Sequence, residues 1–388
     1  MSFIGKHGTI SAVKTMNFQE ELCAWYKIHH RDLPFRQTRD PYAIWVSEIM
    51  AQQTRIDSML PYYQRWMERW PTVQALAEAP IEEVLQVWQG LGYYNRARKL
   101  HEGAKVVVER YQGVLPANIE QLRSIPGIGF YTAGAIGSIA YGLRAPAVDG
   151  NVLRVSTRVL QYSEDITKKP TVDFVWHQVY DWMEGSDPAV FTQAMMEIGA
   201  LVCTPKNPQC LLCPLASFCG AGQTGTWNQY PVKKKAKPPV ELELYTYWIE
   251  NDQDEILISR DWSDGLMKGL YRLPQSAVPL NQTEQLDHIG RRKHVFSHRV
   301  WNMECYRGRL AAGVQETLPE DCFWLAKSEL DAIPIVGAHR KWLNDDLAEE
   351  TSTAGQTVQT AADRAKSNEV QPSTRRLSNA GSPVKKKG

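Results

Sequence analysis

The chain has 388 residues, and its 44 lysines and arginines nearly balance its 43 aspartates and glutamates, leaving a formal net charge of +1. That length suggests two or three domains of ordinary size. The near-neutral total excludes a histone-like basic protein and a polyacidic solvating chain, although a local basic face can still bind nucleic acid. The hydrophobic fraction of 43% and the 13 tryptophans indicate a globular protein with a substantial core.

The first 17 residues are predicted to be an N-terminal extension. They have no basic start followed by a long apolar run, so no secretory signal is predicted and a cytoplasmic protein is expected. The segment Ser124–Leu143 is uncharged and long enough to cross a bilayer. Its five glycines and its proline favour instead a tight turn that leads into a helix of small residues.

Residues 18–222 are predicted to form an all-helical domain. Apolar residues recur there every three or four positions, as in Ile44, Ile49 and Ile56. Prolines and glycines separate the periodic segments, and alternation of period two is not seen. Residues 122–134 form the strongest local pattern, which predicts two helices joined by a hairpin.

The composition changes after the helical domain. Residues 203–240 contain five lysines and no acidic residue, which predicts a basic interdomain linker over 223–240. A predicted α+β domain follows over 241–347. The chain from 348 to 388 has few large apolar residues and is expected to be disordered. Within the α+β domain the predicted elements are a hairpin of strands 241–250 and 255–259, strands near 292–308 and 321–325, and a helix near 327–333.

Four of the seven cysteines form a compact group: Cys203, Cys210, Cys213 and Cys219. Four thiols so close together in a chain without a secretory signal indicate a metal site and not disulfides. The spacing leaves both zinc and an iron–sulfur cluster open. Either group would be structural by default, because all four ligand positions are filled.

The hairpin in Leu122–Gly134 has the sequence Pro-Gly-Ile-Gly at its turn. Gly127 and Gly129 allow backbone N–H groups at the start of the second helix to face outward, where they can bind a DNA phosphate. A plain tight turn is the alternative. The ending Gly-Lys-Ser/Thr of an ATP-binding loop is absent, so ATP binding is not expected.

Two carboxyl groups and one turn are further candidates. Glu48 lies in a mainly apolar helix, where burial would raise its pKa and suit it to act as a general acid; the alternative is a solvent-facing glutamate. Asp149 precedes a helix, so it is either an N-cap, a catalytic carboxylate or both.

The turn at Gly90–Tyr94 carries Leu91 and Tyr93 as a possible wedge into a base stack, with cations behind it for phosphate binding. A helix–turn–helix with a buried tyrosine is the alternative there. The cations are Arg96, Arg98 and Lys99.

Together, the hairpin, the Val-Asp-Gly-Asn sequence at 148–151 and the cysteine spacing resemble the endonuclease III superfamily of DNA glycosylases. The resemblance implies a helix-hairpin-helix glycosylase domain and a [4Fe–4S] cluster held by the four cysteines. Tyr131 stands where the lyase branch carries a Schiff-base lysine, and this resembles the adenine-specific branch, the MutY family. Residues 265–274 and 296–298 resemble the 8-oxoguanine-reading domain of that family, which is Nudix-like. A glutamate-rich Nudix box is not found between Pro274 and Arg291, so nucleotide hydrolysis is not expected.

The resemblance also implies roles for individual residues. Glu48 would protonate N7 of a flipped adenine, and Asp149 would stay ionised beside Tyr131 and stabilise the cationic sugar. The expected partner is double-stranded DNA with adenine opposite 8-oxoguanine or guanine, bound by a monomer associated with the nucleoid. The implied substrate-binding residues are Arg36 and Gln193 at the adenine, Gln53 and Thr54 in the vacated duplex space, Leu91 and Tyr93 as the wedge, and Ser297 and His298 at the lesion.

Three residues depart from the family pattern. Phe35 stands where tryptophan is usual, Ala51 where leucine is common, and Phe130 where arginine is frequent. We expect these departures to affect rate or mismatch preference and to leave the reaction itself unchanged. Three other interpretations stay open: a bifunctional glycosylase/lyase acting on oxidised pyrimidines, a non-catalytic DNA-binding or redox-sensing iron–sulfur protein, and a zinc-stabilised interaction module.

Overall fold

The structure is a computed structural model that describes residues 17–234, 238–259, 269–279, 286–296, 298–309 and 321–345. The described residues belong to two units, which divide after Ile335. The predicted tail at 348–388, Ser297 and residues 1–16 of the predicted extension lie outside the described residues. In the part of the chain that is described, no helix combines the length and the hydropathy needed to cross a bilayer.

The first half of the chain is helical, as the apolar periodicity predicts. Short connections join its helices, which lie between residues 18 and 223. The bounds are α1 Phe18–His29, α2 Pro41–Ala51, α3 Ile56–Arg69, α4 Val73–Glu78, α5 Ile81–Val87, α6 Asn95–Tyr111, α7 Ile119–Arg123, α8 Phe130–Tyr141, α9 Gly150–Leu160, α10 Lys169–Trp182, α11 Pro188–Leu201 and α12 Gly220–Gln223.

Side-chain caps fix where several of these helices begin. Asn17 and Glu20 form a capping box at the start of α1, each side chain bonding the backbone N–H of the other. Asp40 accepts from the N–H of Tyr42 at the start of α2, and Pro41 occupies the first position of that helix. Such caps stabilise a helix end by about 1 kcal/mol each and hold the helix start at a defined residue.

The helix α8 lies close to its neighbours because its residues are small. Ala133, Gly134, Ala135 and Gly137 are all buried along it. A Cβ atom added to Gly134 would lie 2.2 Å from the carbonyl oxygen of Pro146. The uncharged segment that contains α8 is therefore a buried helix that brings the chain before Asp149 into direct contact with the helix carrying Tyr131.

A mixed sheet forms in the second half of the chain. In the described residues its order is β4-β5-β1-β2-β6, with β3 paired to β1, and the β1–β5 pair is parallel. The predicted hairpin is present, since β1 and β2 pair antiparallel, and a 3-10 helix follows β6 over Lys327–Ala332. Residues 337–345 are helical as well. The strands are β1 Val240–Glu250, β2 Glu255–Ser259, β3 Gln275–Ser276, β4 Leu286–Val295, β5 Arg299–Arg309 and β6 Cys322–Ala326.

The start of the predicted linker at 223–240 is bound to the helical part of the chain. The Nε of Arg158 on α9 donates to the carbonyl oxygens of Trp227 and Tyr230, both at 3.1 Å. The guanidinium also lies over the Trp227 ring, 5.4 Å from its centroid. The N–H of Ile166 donates to the carbonyl of Val232 at 3.0 Å. These contacts give residues 227–232 a fixed path, which the lysine-rich composition does not predict.

Candidate active site

A cavity of about 820 Å³ opens among α2, α8, α9 and α11. Its size lies within the range of ordinary small-molecule sites in proteins. It brings together residues that lie far apart in the sequence and that the resemblance assigns to catalysis or to binding of the base. The predicted residues that line it are Glu48, Asp149, Tyr131, Arg36, Gln193, Gln53 and Thr54.

Glu48 is buried on α2, and its side chain accepts a hydrogen bond from the Tyr131 hydroxyl. Burial raises the pKa of Glu48 to about 7, although the hydrogen bond from Tyr131 acts in the opposite direction. Burial also raises the pKa of Tyr131 well above its ordinary value, and the neighbouring carboxyl groups add to the rise. Near neutral pH, Glu48 therefore exists as a mixture of protonated and ionised forms, and Tyr131 keeps its proton.

Asp149 is the N-cap of α9, and its carboxylate is held by N–H donors. Its Oδ1 accepts from the backbone N–H of Val152 at 2.8 Å, and its Oδ2 accepts from the Asn151 amide at 2.8 Å. Burial raises the pKa of Asp149 above its ordinary value, and these hydrogen bonds and the charge of Arg154 limit the rise. The cap position and the cavity position coincide here, because Asp149 lines the same cavity as Glu48 and Tyr131.

Asn151 is itself held in place, so that the orientation of Asp149 is fixed from behind. Arg154 donates to the Asn151 side-chain oxygen at 2.8 Å and to the carbonyl of Gly199 at 2.7 Å. This leaves the Asn151 amide nitrogen directed at Asp149. Asn151 lines the cavity, and the Val-Asp-Gly-Asn motif by itself did not predict a function for it.

A further wall of the cavity carries an ionised carboxylate, Glu197, which was not among the predicted site residues. Glu197 on α11 is fully buried, and its oxygens accept from Arg36 and, at 2.9 Å, from the Arg31 side chain. Burial opposes ionisation of Glu197, but the hydrogen bonds from Arg36 and Arg31 outweigh it and lower the pKa to about 2. A glutamate in the apolar run Met195–Ile198 is the same signal that identified Glu48, so the sequence contained the means to find it.

The residues expected at the base are connected to this wall. Arg36 lies over the Tyr26 ring at 5.7 Å and contacts Glu197. The Tyr26 hydroxyl donates to the Gln193 side-chain oxygen at 3.1 Å. Arg36 and Gln193 are therefore held in fixed orientations before any substrate binds.

Two loops carry the residues that are expected to enter the duplex. In the loop after α2, Gln53 is exposed with a φ of 57°, a left-handed value that is unusual for a residue other than glycine. In the turn before α6, Tyr93 is 46% exposed and also left-handed, with a φ of 48°. Leu91 is buried instead, at 7% exposure, so a wedge made by Leu91 would require its side chain to leave the core.

The prediction that the cations behind this turn bind phosphate is wrong for Arg96. Its two terminal nitrogens donate to oxygen atoms of the protein itself, among them the carbonyls of Leu91 and Gly92 at 3.1 Å. The Lys99 ammonium is exposed and pairs with Glu102 at 2.8 Å. Arg98 is half-buried, and burial lowers its pKa. A charge count along the chain does not show which guanidinium groups are taken up by internal carbonyls.

The hairpin between α7 and α8 has the expected geometry. Gly127 has a φ of 85°, which favours glycine, and Gly129 precedes the first turn of α8 with open space around its Cβ position. Phe130 is 59% exposed, and the Arg123 guanidinium lies 3.7 Å from the centre of its ring. Of the other two departures from the family pattern, Phe35 and Ala51 both line the cavity. Phosphate binding by Gly127 and Gly129 stays a prediction.

The predicted lesion contacts belong to the turn between β4 and β5. His298 is exposed, and its carbonyl accepts from the N–H of Val240 at 3.0 Å. Phe296 packs against His294 and Trp301, which fixes one side of the turn. Ser297 lies outside the described residues, and His298 is not among the residues that line the cavity around Glu48.

The four clustered cysteines surround a second cavity of about 240 Å³. Among the described residues, no three His, Cys, Asp or Glu side chains are grouped tightly enough to hold a single metal ion. The surroundings suit thiolate ligands: Arg158 donates to the Cys203 sulfur at 3.3 Å, and the N–H of Gly222 donates to the Cys219 sulfur at 3.3 Å. The donor set and the cavity therefore fit an iron–sulfur cluster.

Family models match three parts of the chain. Residues 46–179 match the HhH-GPD superfamily of base excision DNA repair proteins, residues 203–219 match the iron–sulfur binding domain of endonuclease III, and residues 245–345 match a NUDIX domain. The matches confirm the predicted fold class, a helix-hairpin-helix glycosylase domain followed by a Nudix-like α+β domain. They also confirm the [4Fe–4S] cofactor, so zinc is excluded as the group bound by the four cysteines.

Relatives that match most of the chain lead to the same family. The adenine DNA glycosylase of Mus musculus is 34% identical in an alignment that covers 84% of this chain and 76% of the mouse protein. The Homo sapiens protein of that name is 34% identical and covered over 73% of its length, and the Rattus norvegicus protein is 37% identical and covered over 77%. Among solved structures, a thermostable thymine-DNA glycosylase aligns with 53% of this chain and 95% of its own at 27% identity, with a TM-score of 0.49. The identity and coverage of these three relatives show that this chain belongs to the adenine DNA glycosylase family.

Proposed function

We propose that this enzyme removes adenine paired with 8-oxoguanine or guanine from double-stranded DNA, and that it does so without cutting the strand. The observation that carries the proposal is the pairing of two carboxyl groups with different proton affinities in one cavity. Glu48 has a pKa near 7, which allows it to hold a proton at neutral pH. Asp149 accepts N–H hydrogen bonds that favour its ionised form.

The reaction follows from these two proton states. An adenine flipped into the cavity receives a proton at N7 from Glu48, and the electron pair of the bond between C1′ and N9 leaves with the base. The positive charge that develops on the sugar lies next to the Asp149 carboxylate, which stabilises it. A water molecule then adds to C1′ and loses a proton, which leaves an abasic site. Tyr131 contributes by its hydrogen bond to Glu48.

The remaining predicted residues bind the substrate. Arg36 and Gln193 are held by Glu197 and Tyr26 on the wall that would face the base. Gln53, Thr54 and the exposed Tyr93 ring occupy the loops that would replace the lost stacking of the flipped base, and the buried Leu91 would join them after moving out of the core. Flipping costs a few kcal/mol, which these contacts must offset.

We also propose that the protein acts as a monomer on the nucleoid and in the cytoplasm. The Nudix-like domain would read 8-oxoguanine through the turn at 296–298, and the hairpin glycines Gly127 and Gly129 would bind a backbone phosphate. The absence of an amine at position 131 supports a reaction without lyase chemistry, because a Schiff base needs such a nucleophile.

The test uses a labelled duplex with adenine opposite 8-oxoguanine, and the matched control has adenine opposite thymine. We expect adenine release from the first duplex and strand breaks that appear chiefly after heating with alkali. The Glu48→Gln variant should bind the duplex and release no adenine. Efficient strand cutting before alkali would instead support a bifunctional lyase. If the parent protein binds but releases no adenine, a non-catalytic sensor is the better interpretation.

A further inference from the structure

Arg96 connects the loop after α2, whose Gln53 and Thr54 line the cavity, to the turn at 90–93. It stands on the first turn of α6, immediately after the turn at 90–93, and its side chain is partly buried. Each of its two terminal nitrogens faces three oxygen atoms. Those oxygens belong to the segment 49–54 and to the segment 91–92, which are separated by about forty residues of chain.

One terminal nitrogen completes the end of α2. Nη1 donates to the carbonyl oxygens of Ile49 at 2.9 Å and Met50 at 3.0 Å, and it also contacts the carbonyl of Gln52. The last carbonyls of a helix have no partner within the helix, and a cation placed there is favourable. Glu48 is the residue just before Ile49, so Arg96 stabilises the turn of helix that carries Glu48.

The other terminal nitrogen joins the two loops. Nη2 donates to the Thr54 hydroxyl at 3.3 Å and to the carbonyls of Leu91 and Gly92, both at 3.1 Å. The buried Trp88 adds a second support, since its ring N–H donates to the carbonyl of Gly92 at 2.9 Å. The Arg96 guanidinium lies 5.2 Å from the centre of the Trp88 ring. These contacts bond the turn that carries Tyr93 to the loop that carries Gln53.

Both terminal nitrogens of Arg96 donate to neutral oxygen atoms of the protein, so they are not available to bind a phosphate. Burial lowers the pKa of Arg96 to about 10, so the guanidinium still carries its charge at neutral pH. Gln53 and Tyr93 both have left-handed backbones, which are uncommon and persist when surrounding contacts enforce them. Arg96 bonds the backbone beside each of them.

We propose that Arg96 is a positioning residue that makes the turn at 90–93 and the loop at 52–54 move as one body with the end of α2. This rests on the proposed function, in which both loops enter the duplex while Glu48 acts on the flipped base. Contact of Tyr93 with the stack around the opposite base is then transmitted to the placement of the general acid. Arg96 touches neither the base nor the reacting sugar; it acts through the backbone of the residues that do.

The experiment compares Arg96→Met and Arg96→Lys with the parent and with Arg110→Met, a control at an exposed position of the same helix. Hydrogen exchange of the free protein is measured for peptides that contain 49–54 and 90–93. We expect both segments to exchange faster in both Arg96 variants and in neither segment of the control, because lysine supplies one nitrogen and cannot join two loops. Faster exchange in one segment alone, or in neither, would overturn the proposal.

Excision kinetics give the second readout. With enzyme in excess over DNA, we expect the rate to fall about tenfold or more in Arg96→Lys, because a misplacement of the acid by about 1 Å can cost that much. Its cluster absorbance should stay that of the parent, which a generally misfolded variant would not show. A rate within twofold of the parent would refute the positioning role. If Arg96→Met does not fold, Arg96→Lys carries both readouts. If the parent itself releases no adenine, the proposed function fails, whereas the exchange measurement still decides whether Arg96 joins the loops.

Discussion

The pH dependence of adenine release should report the proton on Glu48. The pKa of Glu48 is raised to about 7 by burial, and the proposed reaction uses the protonated form. One pH unit above that value about a tenth of the molecules hold the proton, so the rate should fall roughly tenfold per unit above pH 7. Below pH 6 the rate should level off, since nearly every Glu48 is then protonated.

The Tyr131→Phe variant moves this titration in a direction that the structure determines. The Tyr131 hydroxyl donates to the Glu48 carboxylate and so favours the ionised form, which lowers the pKa of Glu48. A hydrogen bond to a charged group contributes about 1.5–3 kcal/mol, and one pH unit corresponds to about 1.4 kcal/mol. Removing it should raise the pKa of Glu48 by about one to two units and shift the alkaline fall of the rate to near pH 8 or 9.

The assay is single-turnover excision from about pH 5.5 to 9.5, with strand breaks developed by alkali and the excess of enzyme kept constant. Tyr141→Phe is the matched control, because Tyr141 ends the same helix and its hydroxyl bonds the carbonyl of Leu115. The control should keep the inflection of the parent. The reasoning is refuted if Tyr131→Phe leaves the inflection where it was or moves it to lower pH, or if the parent rate is flat between pH 6 and 8.

Three further substitutions test the site through stability and through the cofactor. In the folded protein the pKa of Glu48 is raised from 4.5 to about 7, so folding favours the protonated form. The stability that this protonation contributes is fully present below pH 4.5 and is lost as the pH rises to about 7. Glu48→Gln should therefore stabilise the protein at pH 8 by up to about 3 kcal/mol, seen as a higher melting temperature that the exposed-site control Glu68→Gln does not share. Glu197 behaves oppositely, because its pKa falls to about 2 in the folded protein. Its contribution to stability is present above pH 4.5 and is lost as the pH falls through 2. Glu197→Gln should therefore lower the melting temperature at pH 7 by several degrees. Cys213→Ser should abolish the absorbance near 400 nm in purified protein, while Cys322→Ser, which lies in β6, should leave it unchanged.

Much of the fold could be predicted because its signals are local. The period of apolar residues predicts the helices of the first half, and the alternation at 241–250 predicts β1 with its hairpin partner. The two residues of β3 gave no such signal, since a strand of that length is defined by its pairing with Tyr245 and Thr246 in β1. The fixed path of residues 227–232 depends in the same way on Arg158, a residue from another helix.

The site was predictable where one residue contrasts with its immediate neighbours. Glu48 stands out in an apolar helix, and Glu197 has the same contrast and was overlooked. Arg96 shows where such local contrast fails, because its position behind an exposed turn predicts a phosphate-binding residue. Its actual partners are carbonyls at 49–52 and 91–92, which three-dimensional packing brings together. Leu91 likewise looked like a ready wedge, and its burial is decided by distant side chains.

Glu48, Asp149 and Glu197 are three of the carboxyl groups that line one cavity, and their neighbours act differently on the proton affinity of each. Glu197 contacts two guanidinium groups and is ionised at any ordinary pH. Asp149 is held by N–H groups of its own helix start and by Asn151, whose donors come from neutral amides. Glu48 has one phenol as a donor and an otherwise apolar helix around it, so its proton leaves near pH 7. A protonated Glu48 near pH 7 beside an ionised Glu197 needs this gradation, because equally acidic carboxylates would repel one another and leave no proton to donate. The neighbours of each carboxyl group therefore set its proton affinity. The residue types alone do not show this difference, because all three are acidic residues.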